Sequence, residues 1–424
     1  LYDRAPFISY GNSIWKNCYE TIANINNVLN YEEKNRSVIA PVVDSLVRGE
    51  MLGLRALLHF DLLRMFGKGN LGNRRELLNT FTIPYSLDFN KYAPAQVTYE
   101  QFLYYLKKDI EEAIEYLYVD PITRREPLSY YQPYVDQAFL ATDEYNRGII
   151  DRNFRMNYYA AQALYARILM WEGTPEAKGK ALTVAEDLIE NAYYSWAYEN
   201  SVMVKNNEWW KSDLLFKNEQ LFTMAVEKLE EYQTHTQGTR NWFDASSPGN
   251  TYQVVYLNQS KAEEIYESPG IGDSDWRFIY CLLPQGQSRS YYGLVKLRQH
   301  PEHTADYSRM IPMIRITEMY YIAAECRMEA GPDYDKSKAL DYLNTVRRHR
   351  GIAQAEELPA SLTDAEVKEE IYKEYRKEFV GEGQIFFYYK RKGMETIPGY
   401  NGEMSDLQYQ YPMPDDESAL GGRI

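Results

Sequence analysis

One pattern in this sequence constrains the fold more than any other: a helix, a glycine and a second helix occur twice at a fixed spacing. Ala166, Gly173 and the triplet Lys180, Ala181, Leu182 return as Ala324, Gly331 and Lys338, Ala339, Leu340, each 158 residues after its counterpart. Small alanines on a first helix admit a second at close range, and pairs built this way stack as tetratricopeptide-type repeats. Copies so far apart are not adjacent repeats. The pattern therefore predicts helix, tight glycine turn and helix in each copy, within a solenoid interrupted by inserted loops.

Helical periodicity recurs outside the repeat. Over residues 14–29, Trp15, Cys18, Tyr19, Ile22, Ile25 and Leu29 fall at three- and four-residue steps, one apolar stripe of an amphipathic helix. Pro41 opens a second helix carrying Val43, Leu46, Leu54, Leu57, Leu58, Leu62 and Met65, and the glycines at 67, 69 and 72 are expected to end it by supplying positive φ. Residues 98–117 start on a threonine cap. They set Phe102, Leu103, Leu106, Ile110, Ala113, Ile114 and Leu117 on one face and Lys107, Lys108, Glu111, Glu112 and Glu115 on the other. A last stripe, Val367, Ile371, Tyr375 and Phe379, brings the expectation to about eight helices, or four pairs.

Between residues 191 and 310 that period is lost among Gly, Pro, Ser and Asn, yet Trp196, Trp209, Trp210, Trp242 and Trp276 all lie there. Long loops on a rigid scaffold are where binding residues usually sit. The chain accordingly divides into a helical region 1–190, a loop-rich ligand-facing region 191–310 and a return to the helical body over 311–424. With 424 residues it exceeds the roughly 250–300 at which one compact core stops growing, which fits either two lobes or one elongated repeat body.

Composition removes several function classes. Lys and Arg number 47 against 61 Asp and Glu, a net charge of -14 that repels the phosphate backbone, so nucleic acid is not the partner. No apolar stretch approaches the roughly 18 residues of a spanning helix. Cys18, Cys281 and Cys326 are odd in number and lack CxxC spacing, against a disulfide framework or zinc site. Tyrosine is in surplus, 40 against 15 Phe and 7 Trp, and suits both helix interfaces and wet, partly apolar ligand surfaces.

Six segments, in order, resemble the SusD-like family. RGEMLGLRALLHFDLLRMFG (48–67) is similar to its second helix with Leu-Arg-Ala; YYAAQALYARILMWEG resembles its Ala-rich helix, and PMIRITEMYYIAAECRMEAG its Arg-x-x-Glu segment. ALDYLNTVRRHRGI is similar to the Asn-x-Val-Arg turn, IYKEYRKEFVGEG to the Glu-Arg-Arg-x-Glu-Leu helix, and YPMPDDE to the closing Pro-Ile-Pro. The chain departs from the pattern at Tyr375, Ile385 and Phe387, and at Arg348, His349 and Arg350, which puts particular buried ion pairs in question but not the fold. The sequence opens at Leu1 rather than Met, so a leader or longer N-terminus is expected before it, and the family's Asn-rich tail is expected beyond Ile424.

The resemblance implies a mostly α fold: tetratricopeptide-like helix pairs in a right-handed superhelical body, with a second, loop-rich lobe. It implies a lipid-anchored protein on the outer surface of a Bacteroidetes-type outer membrane. Such a protein hands a glycan, or in some members a peptide, to a SusC-like TonB-dependent porin without catalysis.

A glycan platform needs aromatic rings for the C–H faces of sugars and planar polar groups for their hydroxyls. Three clusters offer both: Arg240, Asn241, Trp242, Phe243 and Asp244; Arg289, Tyr291 and Tyr292; and Tyr85, Asp88 and Tyr92. At least one is expected to touch ligand, as is Trp276, while each ring also serves to pin its own loop. Trp209 and Trp210 alternate sides if extended, leaving one available. GKGNLG follows a helix rather than a strand, so a dinucleotide site lacks its context. His300 and His303 have ligand-like spacing without a third donor. Asp273 and Asp275 near Glu267 suit either a calcium loop or a surface turn. No cofactor is otherwise expected. A helical glycoside hydrolase would need two carboxylates across a cleft; Glu325, Glu374 and Glu378 are the acids to nominate, but the resemblance gives them structural pairs with arginine.

Overall fold

The computed structural model describes residues 5–124, 152–233, 243, 255–285, 290–300, 302 and 309–420. Within them the protein is mostly helical with a few short strands, as expected, and it divides into two units: Leu1–Val184 with Phe386–Ile424, and Ala185–Ile385.

In the first unit α1 (Ala5–Asn35) extends past both ends of its stripe, burying Trp15, Ile22, Ile25 and Leu29. α2 (Pro41–Phe66) opens with proline at its first turn, where the missing N–H costs nothing. α2 does not end on a left-handed glycine. Gly67 is extended at φ -89, and the left-handed residue is Asn70 at φ 59. What Gly69 and Gly72 supply is closeness: a Cβ on Gly69 would lie 2.6 Å from the Lys390 carbonyl oxygen, and one on Gly72 2.5 Å from that of Gly173.

α3 (Tyr99–Leu117) starts as predicted. Thr98 Oγ1 accepts from the Gln101 N–H and the Gln101 side chain accepts from the Thr98 N–H, a reciprocal cap for otherwise unbonded donors. Phe102, Leu103, Leu106, Ile110, Ala113 and Leu117 are buried. α2 presents Gly49 to this helix, where a Cβ would fall 2.6 Å from Leu117 Cγ, so the two pack at backbone range. β1 (Phe81–Pro84) and β2 (Gln96–Thr98) pair antiparallel and carry between them the loop that matters below. α4 (Tyr158–Glu172) closes on Gly173 at φ 70, whose N–H returns to the Leu169 carbonyl, and α5 (Pro175–Asn191) follows at once. The first repeat copy is therefore the tight glycine turn expected.

The second copy, in the second unit, is not. α6 (Ile316–Arg327) stops before Gly331, and eight residues, 328–335, separate it from α7 (Lys336–Arg348), which Asp335 caps. Gly331, directly before Pro332, sits mid-connection at φ 145, a conformation open to glycine because it lacks a Cβ. α8 (Asp364–Glu378) begins on a Thr363–Glu366 capping box and packs on α6 and α7; α9 (Gln384–Lys392) follows.

Over 191–310 the chain forms elements too short to show a period in sequence. β3 (Gln220–Ala225) pairs antiparallel with β7 (Met310–Arg315), from Gln220 opposite Arg315 to Ala225 opposite Met310. β4 (Tyr256–Asn258) and β5 (Leu282–Gln285) flank β6 (Tyr291–Leu294) in an antiparallel sheet. Among the described residues, the tryptophans here pack against other side chains. Trp209 is buried and meets Trp210 edge-on in a 3-10 turn, so the pair does not alternate sides, and Trp210 lies parallel to His300 at 3.9 Å. Trp196 stacks on His349 at 4.2 Å.

Candidate ligand-binding site

The loop between β1 and β2 is fixed to three helices by hydrogen bonds to nearly every residue of its first half. From α1, Tyr19 donates to the Pro84 carbonyl at 2.7 Å, and Asn26 Nδ2 donates to the carbonyls of Ser86 and Asp88 at 3.2 and 3.3 Å. From α2, His59 Nε2 accepts from the Ser86 N–H at 2.9 Å. From α3, Asp109 accepts from the Tyr85 hydroxyl at 2.6 Å and grips Arg55 of α2 through two bonds of 2.7 and 2.6 Å. Arg55 also reaches Asn26 Oδ1 at 2.9 Å. A bidentate pair with both partners buried holds its geometry tightly. The arginine of the Leu-Arg-Ala motif is thus the joint from which the loop hangs.

This anchoring fixes proton positions. His59 Nδ1 faces the Arg55 carbonyl at 2.9 Å and must donate, so Nε2 must be the acceptor for Ser86. The ring is neutral, and burial pushes its pKa down to about 3, with the Arg55 charge acting in the same direction. Tyr85 stacks on it with centroids 3.8 Å apart. Burial and then the Asp109 charge raise the Tyr85 phenol well above its ordinary range, so it stays a donor.

On the other side the loop walls a cavity of about 490 Å³, bounded by Trp15, Tyr19, Tyr85, Tyr92 and Tyr105, with Asp88, Asn90 and Glu417 as its polar groups. A second, of about 340 Å³, shares Leu87, Asp88 and Tyr105 with it and is polar, with Asn26, Asn30, Glu33, Arg48, Lys108 and Glu112 in its wall. Tyr92 is 73% exposed, whereas Tyr85 is 5% exposed. Tyr85 is the floor and Tyr92 the rim. Aromatic faces beside carboxylate and carboxamide acceptors can stack on the C–H face of a ring-shaped polyol and bind its hydroxyls.

Of the residues nominated from sequence, Tyr85, Asp88 and Tyr92 therefore come together. Trp15 and Tyr19 were missed as lining residues because each sits within a helical stripe and reads there as core, and Tyr105 because it falls outside the stripe of its helix. The tyrosine pair 104–105 beside Lys107 and Lys108 on a helix otherwise cleanly divided was the available signal.

Arg240, Asn241, Trp242, Asp244 and Arg289 lie outside the described residues. Tyr291 and Tyr292 belong to the second unit and stand on a central strand rather than in a loop, so they face opposite ways. Tyr292 packs inward, 5.2 Å from Phe278, while Tyr291 meets the half-exposed Tyr256 edge-on at 5.1 Å. Trp276 packs against the cluster around Trp209 and closes on the turn at Gly351, where a Cβ would meet its Nε1 at 2.3 Å; it is a packing group.

The calcium reading of Asp273 and Asp275 is corrected. Asp275 is fully buried and bonds Arg277 through both oxygens, and Asp273 caps its own turn through Ser268 and the Gly270 N–H. Among the described residues no group of three or more His, Cys, Asp or Glu side chains is placed to hold a metal ion.

The nominated acids are structural. Glu378 is buried against Arg277, Arg315 and Arg350 at 3.1, 2.6 and 2.8 Å, and Glu374 against Arg277, Arg347 and Lys377 at 2.8, 3.2 and 3.3 Å. Burial opposes their ionisation, but these cations outweigh it, holding Glu374 at about 2 and Glu378 well below the usual range. Glu325 is buried as well. Arg350, where the sequence departs from the family pattern, keeps its ion pairs, with Glu219 at 2.6 Å as the second partner. At Tyr375 and Phe387 packing replaces charge: Tyr375 lies against Tyr321 and Phe379, and Phe387 lies under the Arg64 guanidinium.

The family profile described as "SusD family" matches residues 282–419, and that described as "Starch-binding associating with outer membrane" matches residues 7–126. No curated protein sequence matches. Among solved structures, a SusD superfamily protein from Bacteroides thetaiotaomicron superposes with a TM-score of 0.70 at 21% identity, covering 96% of this chain and 83% of the other. Surface glycan-binding protein A from Bacteroides uniformis gives 0.66 at 18% over 97% and 84%. Its namesake from Bacteroides thetaiotaomicron, solved with laminarihexaose, gives 0.64 at 17% over 97% and 84%. Structures this distant in sequence show a common fold. With that fold across its length and the family's profiles matching near each end, this chain belongs to the SusD-like family.

Proposed function

We propose that this protein is a non-catalytic glycan-binding protein of the outer-membrane surface, which captures oligo- or polysaccharide and passes it to a SusC-like TonB-dependent transporter. The observation that carries the reading is the aromatic cavity beside α1, with the rim ring of Tyr92 open to solvent and Asp88 and Asn90 beside it. A shallow site of rings and planar polar groups fits affinities on the order of micromolar to millimolar. The starch-binding description of the profile that spans the cavity's α1 and loop residues supports this, as does the laminarihexaose bound by a protein of the same fold.

Family membership supports transfer to a porin and an N-terminal lipid holding the protein at the membrane. Among the described residues no helix is long and apolar enough to cross a membrane. A binding rather than catalytic role is supported by the two best-placed acids, Glu374 and Glu378, being sealed and ion-paired.

Titration calorimetry against neutral and acidic polysaccharides and a set of peptides tests the proposal. Binding of a glycan that weakens at least tenfold in Tyr92→Ala supports it. Binding of peptides alone, or release of reducing ends from a bound glycan, overturns it.

A further inference from the structure

The charge around the two cavities carries the reading further. Among the described residues lining the larger cavity there is no Lys, Arg or His, whereas Asp88 and Glu417 are both present. Lys91 sets its ammonium 5.4 Å from the centre of the Tyr92 ring and does not line the cavity. The smaller cavity has three cations in its wall, and each is matched: Arg48 with Glu32 at 2.7 Å, Arg55 with Asp109 at 2.6 Å and Lys108 with Glu112 at 3.8 Å. That leaves Glu33 and Asp88 in surplus. Asp88 lines both cavities, is exposed, and among the described residues its carboxylate has no partner. Its position is set by the main chain, since Asn26 of α1 holds its carbonyl.

We infer that this site is selective for uncharged glycans and rejects uronate-bearing and sulfated ones, with Asp88 as the residue that determines the selectivity; the inference rests on the glycan-binding reading. A neutral sugar offers hydroxyl donors to the Asp88 carboxylate, and a charged hydrogen-bond acceptor strengthens that bond. A ligand carboxylate or sulfate at the same place meets like charge, and among the described residues no Lys, Arg or His lines the larger cavity to answer it. At a few ångströms and surface-like screening this weakens binding by about fivefold or more. The chain's net charge of -14 acts in the same direction.

The test uses the whole protein and a panel of neutral hexose oligosaccharides of differing linkage, each beside its C6-oxidised, uronate counterpart of equal length. Wild type is expected to bind a neutral member at least fivefold more tightly than its oxidised partner, with the gap shrinking as salt is raised. In Asp88→Asn, at an unchanged melting temperature, the ratio is expected to fall severalfold. Equal or tighter binding of an oxidised member, a gap indifferent to salt, or a ratio unmoved in Asp88→Asn overturns the inference while the glycan reading stands. No binding by any sugar, neutral or acidic, removes both.

Discussion

Tyr85 lies face to face with His59, ring centroids 3.8 Å apart and planes inclined by 10°, and both side chains belong to the frame beneath the binding loop rather than to its open surface. This arrangement requires a neutral imidazole, because the Ser86 N–H already points at Nε2.

Acid should therefore weaken the first unit through His59. Its folded pKa, about 3, is below the unfolded value of about 6.5, so between those limits the unfolded chain binds the extra proton and the folded one does not. Stability is lost as pH falls through that window, by up to about 1.4 kcal/mol per unit from this group. Denaturant unfolding from pH 7 to 4, comparing wild type with His59→Asn, isolates the contribution as the extra slope of wild type over the variant. Nitrogen NMR should show the Nδ1–H tautomer persisting at pH 5, and a protonated ring there refutes the assignment.

Floor and rim should respond differently to substitution. Tyr85→Phe removes the hydroxyl that Asp109 accepts from inside the protein, leaving a buried carboxylate short of a donor, and should lower stability by about 1–3 kcal/mol. Tyr92→Ala removes an exposed ring and should change stability by no more than about 0.5 kcal/mol while weakening glycan binding. Thermal melts beside calorimetry separate the two; equal destabilisation in both would show that Tyr92 is packing.

How much of this was readable in advance follows the range of the interactions. α3 was legible because its cap, stripe and polar face are all local, from Thr98 to Leu117. The first repeat copy was legible for the same reason, and the second misread because α6 ends at Arg327, before the glycine expected to close it. β3 and β7 were invisible, since Gln220 acquires its partner Arg315 only on folding. The cavity was half visible: Tyr85, Asp88 and Tyr92 share a loop with no helical period, but Trp15 serves core and cavity at once, and a stripe does not distinguish those uses. Tyr291 and Tyr292 looked like a loop pair because a four-residue strand carries too little alternation to declare itself.

The ionic core of the second unit should be intolerant of losing one member. Glu378 bonds three buried arginines at once, so Glu378→Gln leaves the cluster one negative charge short in a buried region. Removing one partner of a buried pair costs about 3–5 kcal/mol, more than the pair itself contributes, because the remaining charge keeps its desolvation penalty. Chemical denaturation should show this loss, and exposed Lys261→Ala, whose pair with Glu264 is half in water, should show less than about 0.5 kcal/mol. A loss at Glu378 no larger than at Lys261 would mean that water reaches the cluster.

Two glycines set the sharpest contrast. Gly72 lies against the backbone of Gly173, the left-handed residue ending α4, and its added Cβ would stand 2.5 Å from a carbonyl oxygen that the turn prevents from retreating. Gly72→Ala should cost about 1–3 kcal/mol by overpacking. Gly11 lies within α1, where an added Cβ would meet only Tyr411 Cδ1 at 3.6 Å, an ordinary contact. Because glycine inside a helix is disfavoured relative to alanine, Gly11→Ala should gain about 0.5–1 kcal/mol. The same chemical change thus has opposite signs at the two positions, and thermal melts of both variants decide whether backbone approach, rather than glycine content, holds the repeat turn to the segment after α2.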